Sequence, residues 1–216
     1  MNYWNDFVDG VIYDKDKFKD DDVLVLIVGR SGSGKTTLEK NIVDFLDFKT
    51  VKSYTTRPPR YDGEDSHIFV SKEEFDALEE KMGYTEFNGY EYCATKEQLN
   101  NANIYVIDPK GVRYLWSHYN NKKIFIMYLD VDRATCFTRM LERGEDRQSI
   151  IERLKNDDKE FYDFERYADA VLNANDEPEY VAQDFVHHYT LMRLNDRIEY
   201  LESEVAKWKD LSLKLP

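Results

Sequence analysis

Cysteine is almost absent from this chain: Cys93 and Cys136 are all it has, neither in a C-x-x-C pair nor at a ligand spacing from a histidine. Neither a disulfide framework nor a cysteine-held metal is expected. The four histidines form no ligand set either. No apolar run approaches the roughly 18 residues that argue a spanning helix, and no charged-apolar-small signal segment opens the chain. A cytoplasmic protein without a membrane partner is the expectation. Basic charge is in deficit too, with 30 Lys and Arg against 43 Asp and Glu and a net charge of -13, which disfavours a nucleic acid polymer as partner. Any basic site must then be local. Internal repeats and low-complexity segments are missing, and 42% hydrophobic with 14% aromatic residues is not a disordered composition.

What the chain does carry is one strongly patterned segment, "VLVLIVGRSGSGKTTLEKNIVDFL", Val23 to Leu46. Aliphatic residues from Val23 to Val28 lead into Gly29-Arg30-Ser31-Gly32-Ser33-Gly34-Lys35-Thr36, and a helical pattern with Leu38, Ile42, Val43 and Leu46 follows. Strand, loop and helix in that order, with the spacing G-x-x-x-x-G-K-T, make a phosphate-binding loop. Its glycines take dihedrals that side chains forbid, so successive N–H groups turn toward a phosphate at the start of a helix. Lys35 is expected to reach the β- and γ-phosphates of a nucleotide, and Thr36 to offer its hydroxyl to Mg²⁺, though the loop alone does not separate a kinase from a motor or a GTPase switch. The expected nucleotide-binding set is Gly29, Ser31, Gly32, Ser33, Gly34, Lys35, Thr36 and Thr37, the ATP-binding residues if the chain is a kinase.

Further strands are expected at 67–70, 103–108, 123–131 and 169–174, with helices at 72–82, 96–100, 110–118, 133–143, 148–164 and from 177 onward. The alternation predicts an α/β fold, a P-loop NTPase core whose parallel sheet is flanked by helices. Residues 1–22, with seven Asp against three Lys, are expected as an acidic arm or short edge strand.

The acceptor of a phosphoryl group is signalled by "SYTTRPPRYDGEDSHIFVSKEEFDAL", Ser53 to Leu78. Arg57 and Arg60 bracket a stiff Pro-Pro, so their guanidinium forks lose little freedom in gripping a phosphate dianion. Six of the 12 arginines fall in the segments 57–60 and 139–153. Phosphoryl transfer needs positioned oxygens and neutralised charge more than covalent chemistry, and such crowding suits it.

With these segments in view, the chain resembles the guanylate kinase family. "GRSGSGKTT", "SYTTRPPRYDGE", "FVSKEEF", "TEFNGYEYCAT", "IDPKGV" and "RMLERGEDRQSIIERL" match that family's motifs in order, over roughly Val23 to Phe185. The resemblance implies a family domain at 23–186. Its core would be 23–52 and 104–186, its monophosphate-binding insertion 53–103 and its lid about 138–153, with a helical tail at 187–216. It implies contacts to the monophosphate from Ser53, Arg57, Arg60 and Tyr92, and places Asp108 at a strand end beside the acceptor. Arg139, Arg143 and Arg153 match the arginines that close over the transferring group and join Lys35 as the catalytic set, while Arg147 matches less clearly. Asn173 falls where the family contacts the donor base. The base pocket departs from the pattern: Gly83 stands for a Glu, Ala94 for a Ser or Thr, and His67 for a Tyr. Glu86, Glu91 and Thr95 are near enough to substitute, so His67 and Thr95 join the expected monophosphate set. The implied function is transfer of the ATP γ-phosphoryl group to (d)GMP or a related monophosphate. A catalytically silent interaction module and a kinase for another or modified nucleotide stand as alternatives.

In the tail, Leu191, Leu194, Ile198, Leu201, Val205 and Trp208 recur at spacings of three and four, a coiled-coil seam. Arg197 with Glu202 and Glu204 with Lys209 are opposite-charge g-to-e pairs, which predicts a parallel homodimer through residues 191–211. The competing expectation is a terminal helix whose stripe packs on its own domain.

Overall fold

The computed structural model describes residues 22–59, 62–87 and 89–212, the last four by backbone. The expected acidic arm, but for Asp22, and Arg60 lie outside the described residues. Two compact units divide the chain, one of Asp20–Ala182 and a second to which Gln183–Pro216 belongs.

The first unit is built on β1 (Val23–Gly29), every residue of which is buried. Continuous rather than alternating apolarity is what a strand covered on both faces requires. β1 pairs in parallel on one side with β6 (Ile104–Val106) and on the other with β7 (Lys123–Asp130), which pairs with β8 (Ala170–Asn173). The sheet order is β6-β1-β7-β8. Leu24, Leu26 and Val28 face a core shared with Ile126, Tyr128, Val112 and Leu115. Alternation sends Val25 and Ile27 to the opposite face. The helix α1 (Lys35–Leu46) buries Leu38, Ile42 and Leu46, one stripe at four-residue spacing.

A second sheet, β3-β2-β5-β4, comes from the segment between α1 and β6. Its strands are β2 (Tyr54–Thr55), β3 (Ile68–Phe69), β4 (Lys81–Phe87) and β5 (Tyr90–Thr95). Here the expected helix over 72–82 is corrected. α2 covers only Lys72–Asp76, started by a Ser71/Glu74 capping box, and Glu80 turns the chain at φ 45 into β4. Phe75, Leu78 and Met82 have helical spacing, but 81–87 instead pairs antiparallel with β5, from Lys81↔Thr95 to Phe87↔Tyr90. Tertiary pairing overrides the local pattern. The aromatic-rich β4 and β5 are therefore paired as a hairpin.

The remaining helices match their expected places within a residue or four. α3 (Lys96–Asn101) and α4 (Pro109–His118) flank β6, and α5 (Arg133–Glu142) and α6 (Arg147–Glu160) lie between β7 and β8. Side chains cap three of them: Thr95 Oγ1 accepts from Gln98, Asp108 from Gly111 and Asp146 from Ser149.

α7 (Pro178–Ser212) crosses from the first unit into the second. In the second unit Phe185, Tyr189 and Met192 are buried, whereas the six seam residues are exposed, from 44% at Leu191 to 70% at Trp208. Among the described residues no helix is long and apolar enough to cross a membrane.

Candidate active site

β1 delivers the phosphate loop into the first turn of α1. Gly32 and Gly34 take φ of 77 and 98, the left-handed region that favours glycine. At Gly32 space matters as well: a Cβ there would lie 2.7 Å from the Cys136 carbonyl oxygen of α5. Gly29 fits equally closely, since its Cβ would meet Ser33 Oγ at 2.7 Å and Leu129 of β7 at 2.9 Å. Lys35 folds back over the loop, donating to the carbonyls of Gly29 at 2.6 Å and Arg30 at 2.8 Å. Burial pushes its ammonium down to about 8, and Asp157 opposes that shift. The Ser33 hydroxyl is buried without a partner, an orphan that a ligand oxygen would satisfy. Thr36 and Thr37 stand exposed in the first turn of α1.

α5 and α6 bring the expected lid arginines to this loop. Residues 138–153 run from the end of α5 through a turn at Gly144 into α6. Arg139 donates to Ala174 O at 2.9 Å and Ser33 O at 3.4 Å. Arg153 donates to Glu145 at 2.9 Å, and the charges of Arg143 and Arg153 are felt at Lys35. Arg147 instead lies over the Phe137 ring, 5.5 Å from its centroid. A cavity of about 290 Å³ opens beside the loop, lined among others by Ser33, Thr37, Arg139, Arg143 and Asp176. Asn173, at the end of β8, accepts from the Asn175 N–H at 3.2 Å and donates to Asp176 at 3.0 Å.

Asp157 and Asp158 of α6 were not among the expected site residues. The Ser31 N–H donates to Asp157 Oδ2 at 2.7 Å, and Arg30 pairs with Asp158.

Part of the other expected set lies on or beside the second sheet. Arg57 is buried among Glu64, which takes its Nη2 at 2.9 Å and Nη1 at 3.2 Å, the Pro58 carbonyl at 2.8 Å and the Phe69 ring. A Tyr92 hydrogen bond completes the setting, while Arg57 Nε is buried without a partner. His67 sits edge-on to Tyr92, their ring centroids 5.6 Å apart. Ser53 hydrogen-bonds the buried Tyr105 hydroxyl, whose titration burial pushes far upward. Thr95 spends its oxygen on the α3 cap. Arg57, His67 and Tyr92 thus come together.

At the base-pocket departures the backbone itself differs. Gly83 has φ 59 within a register shift between Met82 and Thr85, and a Cβ there would meet Ile107 Cδ1 at 3.1 Å and Tyr105 Cε1 at 3.4 Å. Ala94 is fully buried. Glu91 is already engaged, by Lys72 at 2.6 Å and the Tyr84 hydroxyl at 2.9 Å, and Lys72 holds its carboxyl below the usual range. Asp108 bonds Gly111 N–H at 2.7 Å and the Thr85 hydroxyl, and burial raises its carboxyl above the usual range despite them.

Among the described residues no group of three or more His, Cys, Asp or Glu could hold a metal ion. A cation entering with the phosphates and taking the free Thr36 hydroxyl suits this donor set better than an all-protein cage.

Comparison with known proteins gives these arrangements a family context. The family model Guanylate kinase matches residues 22–186. The guanylate kinase of Clostridium tetani is 33% identical over 164 residues, 70% of this chain and 78% of that protein. That of Thermotoga maritima is 29% identical over 204 residues, 87% of this chain and 98% of that protein. A solved guanylate kinase from Anaplasma phagocytophilum shares the fold with a TM-score of 0.54, at 19% identity, over 79% of this chain and 86% of that one.

Proposed function

Because the chain belongs to the guanylate kinase family, whose named relatives are ATP-dependent phosphotransferases, we propose that it transfers the γ-phosphoryl group of ATP to (d)GMP or a related nucleoside monophosphate. The observation that carries this reading is the loop itself. Lys35 is folded over two loop carbonyls, a buried Ser33 hydroxyl has no partner, and arginines from α5 and α6 bear on the same place.

In the proposed mechanism the ATP phosphates lie on the Gly29–Thr37 loop, with the donor base toward Asn173. The monophosphate is held by Arg57, Arg60 and Tyr92, with His67, Ser53 and Thr95 around it and Asp108 beside the nucleoside. The acceptor phosphate oxygen attacks in line, so no side chain has to become a covalent nucleophile. Lys35, Arg139, Arg143 and Arg153 supply positive charge where negative charge builds up in the transition state. Mg²⁺, when bound at Thr36, neutralises phosphate charge. Arg57 enters this scheme preset: Glu64 fixes its fork while Nε stays free for an anion. We assign the core to 23–52 and 104–186, the monophosphate insertion to 53–103, the lid to about 138–153 and the tail to 187–216.

A coupled assay with ATP and a panel of monophosphates tests this. GMP or dGMP is expected to be the best acceptor, with modest selectivity over other bases because Gly83 and Ala94 supply no side-chain hydrogen bond. Nucleotide binding without turnover of any monophosphate would favour the silent interaction module instead. The exposed seam on α7, with Arg197 and Glu202 flanking it, supports a second copy of this chain as its partner, in parallel register.

A further inference from the structure

Two consecutive carboxylates of α6 hold two consecutive residues of the phosphate loop. Asp157 is 5% exposed, and its Oδ2 accepts the Ser31 N–H at 2.7 Å. Asp158 pairs with Arg30 and, through its other oxygen, with Arg133 at 2.6 Å, the first residue of α5. Arg30 also hydrogen-bonds the buried Tyr128 of β7. A buried carboxylate is costly unless hydrogen-bonded, so Asp157 is a poor choice for filling space beside α5. Its acceptance of a main-chain N–H is the interaction that makes its burial tolerable.

The helix geometry adds a second observation. Asp157 lies four residues after Arg153, hence on the same face of α6, together with the buried Ile150 and Leu154. One face of one helix therefore presents both an arginine to the transfer site and a carboxylate to the loop. Taking the Ser31 N–H leaves the N–H groups from Gly32 onward to turn toward a phosphate.

We propose that Asp157 is a positioning residue for the donor nucleotide: it anchors the entry of the phosphate loop to α6, with Asp158 and Arg30 as a second tie. This rests on the nucleotide-binding part of the reading above. Removing the anchor frees the Ser31 N–H and relaxes the loop, so donor affinity falls while the acceptor site, on the other sheet, is untouched.

The test compares Asp157→Ala with Asp157→Asn, whose amide oxygen still accepts a hydrogen bond. Calorimetry with a non-hydrolysable ATP analogue gives Kd, and steady-state assays give KM for each substrate. Asp157→Ala is expected to weaken the analogue and raise KM for ATP about tenfold, the size of one lost charge-assisted hydrogen bond. Asp157→Asn should stay within about threefold of wild type. KM for the monophosphate should move in neither. A packing role would lower stability and shift both KM values together, and that result overturns the proposal, as does equal damage in the two variants. Should Asp157→Ala fail to fold, Arg30→Ala carries the same expectation, a raised KM for ATP alone. A wild type that binds the analogue without turnover, with weaker binding in Asp157→Ala, keeps this inference and sinks the kinase reading. Turnover with unaltered analogue affinity in Asp157→Ala sinks the inference alone.

Discussion

Replacing Gly32 by alanine probes the phosphate loop at its tightest point. Two costs add. The backbone sits at φ 77, where an alanine is disfavoured by roughly 1–2 kcal/mol. The new Cβ would also lie 2.7 Å from the Cys136 carbonyl oxygen and 3.2 Å from its Cα, both backbone atoms of α5 that cannot rotate away. Overpacking of that kind costs about 1–3 kcal/mol. Together they amount to roughly 2–5 kcal/mol, which for a chain of this size lowers Tm by about 5–15 °C. Gly144→Ala separates the two terms, because Gly144 has a similar φ of 80 but nothing within 4 Å of its Cβ position. It should lose only the backbone share, a few degrees. Calorimetric melts of wild type and both variants make the comparison, and an added ATP analogue should stabilise wild type and Gly144→Ala far more than Gly32→Ala. A Gly32→Ala protein that melts with Gly144→Ala would refute the close approach of the loop to α5.

Three further outcomes are expected. Arg60→Ala should raise KM for the monophosphate about tenfold or more with ATP binding unchanged, since it removes the proposed phosphate contact; weakened ATP binding alone would contradict the acceptor assignment. Asp108→Asn keeps a competent cap on α4 and removes a carboxyl whose native pKa is raised by burial. Ionised Asp108 disfavours the folded state, so its stabilising contribution is full below the unfolded value and is lost as pH rises through the higher native one. The variant should therefore melt at or above wild type at neutral pH, with the pH dependence in that acid window flattened, while turnover drops; a fall in Tm refutes this. Truncation after Arg193, which keeps the buried Tyr189 and Met192, should give a monomer by light scattering with nearly unaltered kcat, and a full-length chain that is monomeric at tens of micromolar removes the dimer.

What could be read from the chain alone depended on how local each signal was. The phosphate loop was legible because its residues are contiguous and each has a geometric reason for its place. β1 announced itself through unbroken apolarity, and α4 through the helical pattern over 110–118. The hairpin of β4 and β5 was not legible, because Phe75, Leu78 and Met82 mimic a helical stripe and only pairing with 90–95 reveals the strand. Arg57 was expected at the site, and Glu64 closes the quoted motif "SYTTRPPRYDGE", but that its carboxylate fixes the Arg57 fork is visible only in the fold. Asp157 is the extreme case. Its partner Ser31 lies 126 residues away, and on α6 it reads as one more solvated acid until the fold closes.

The central claim, that the Lys35 loop transfers a phosphoryl group to a nucleoside monophosphate, is tested most directly by separating the products after incubation with ATP, Mg²⁺ and GMP. Wild type should form ADP and GDP in equal amounts, and Lys35→Ala, lacking the charge that follows the phosphoryl group, should be slower by about a hundredfold or more. A Lys35→Ala protein that turns over as fast as wild type, or a wild type that forms no diphosphate from any monophosphate, would contradict the account.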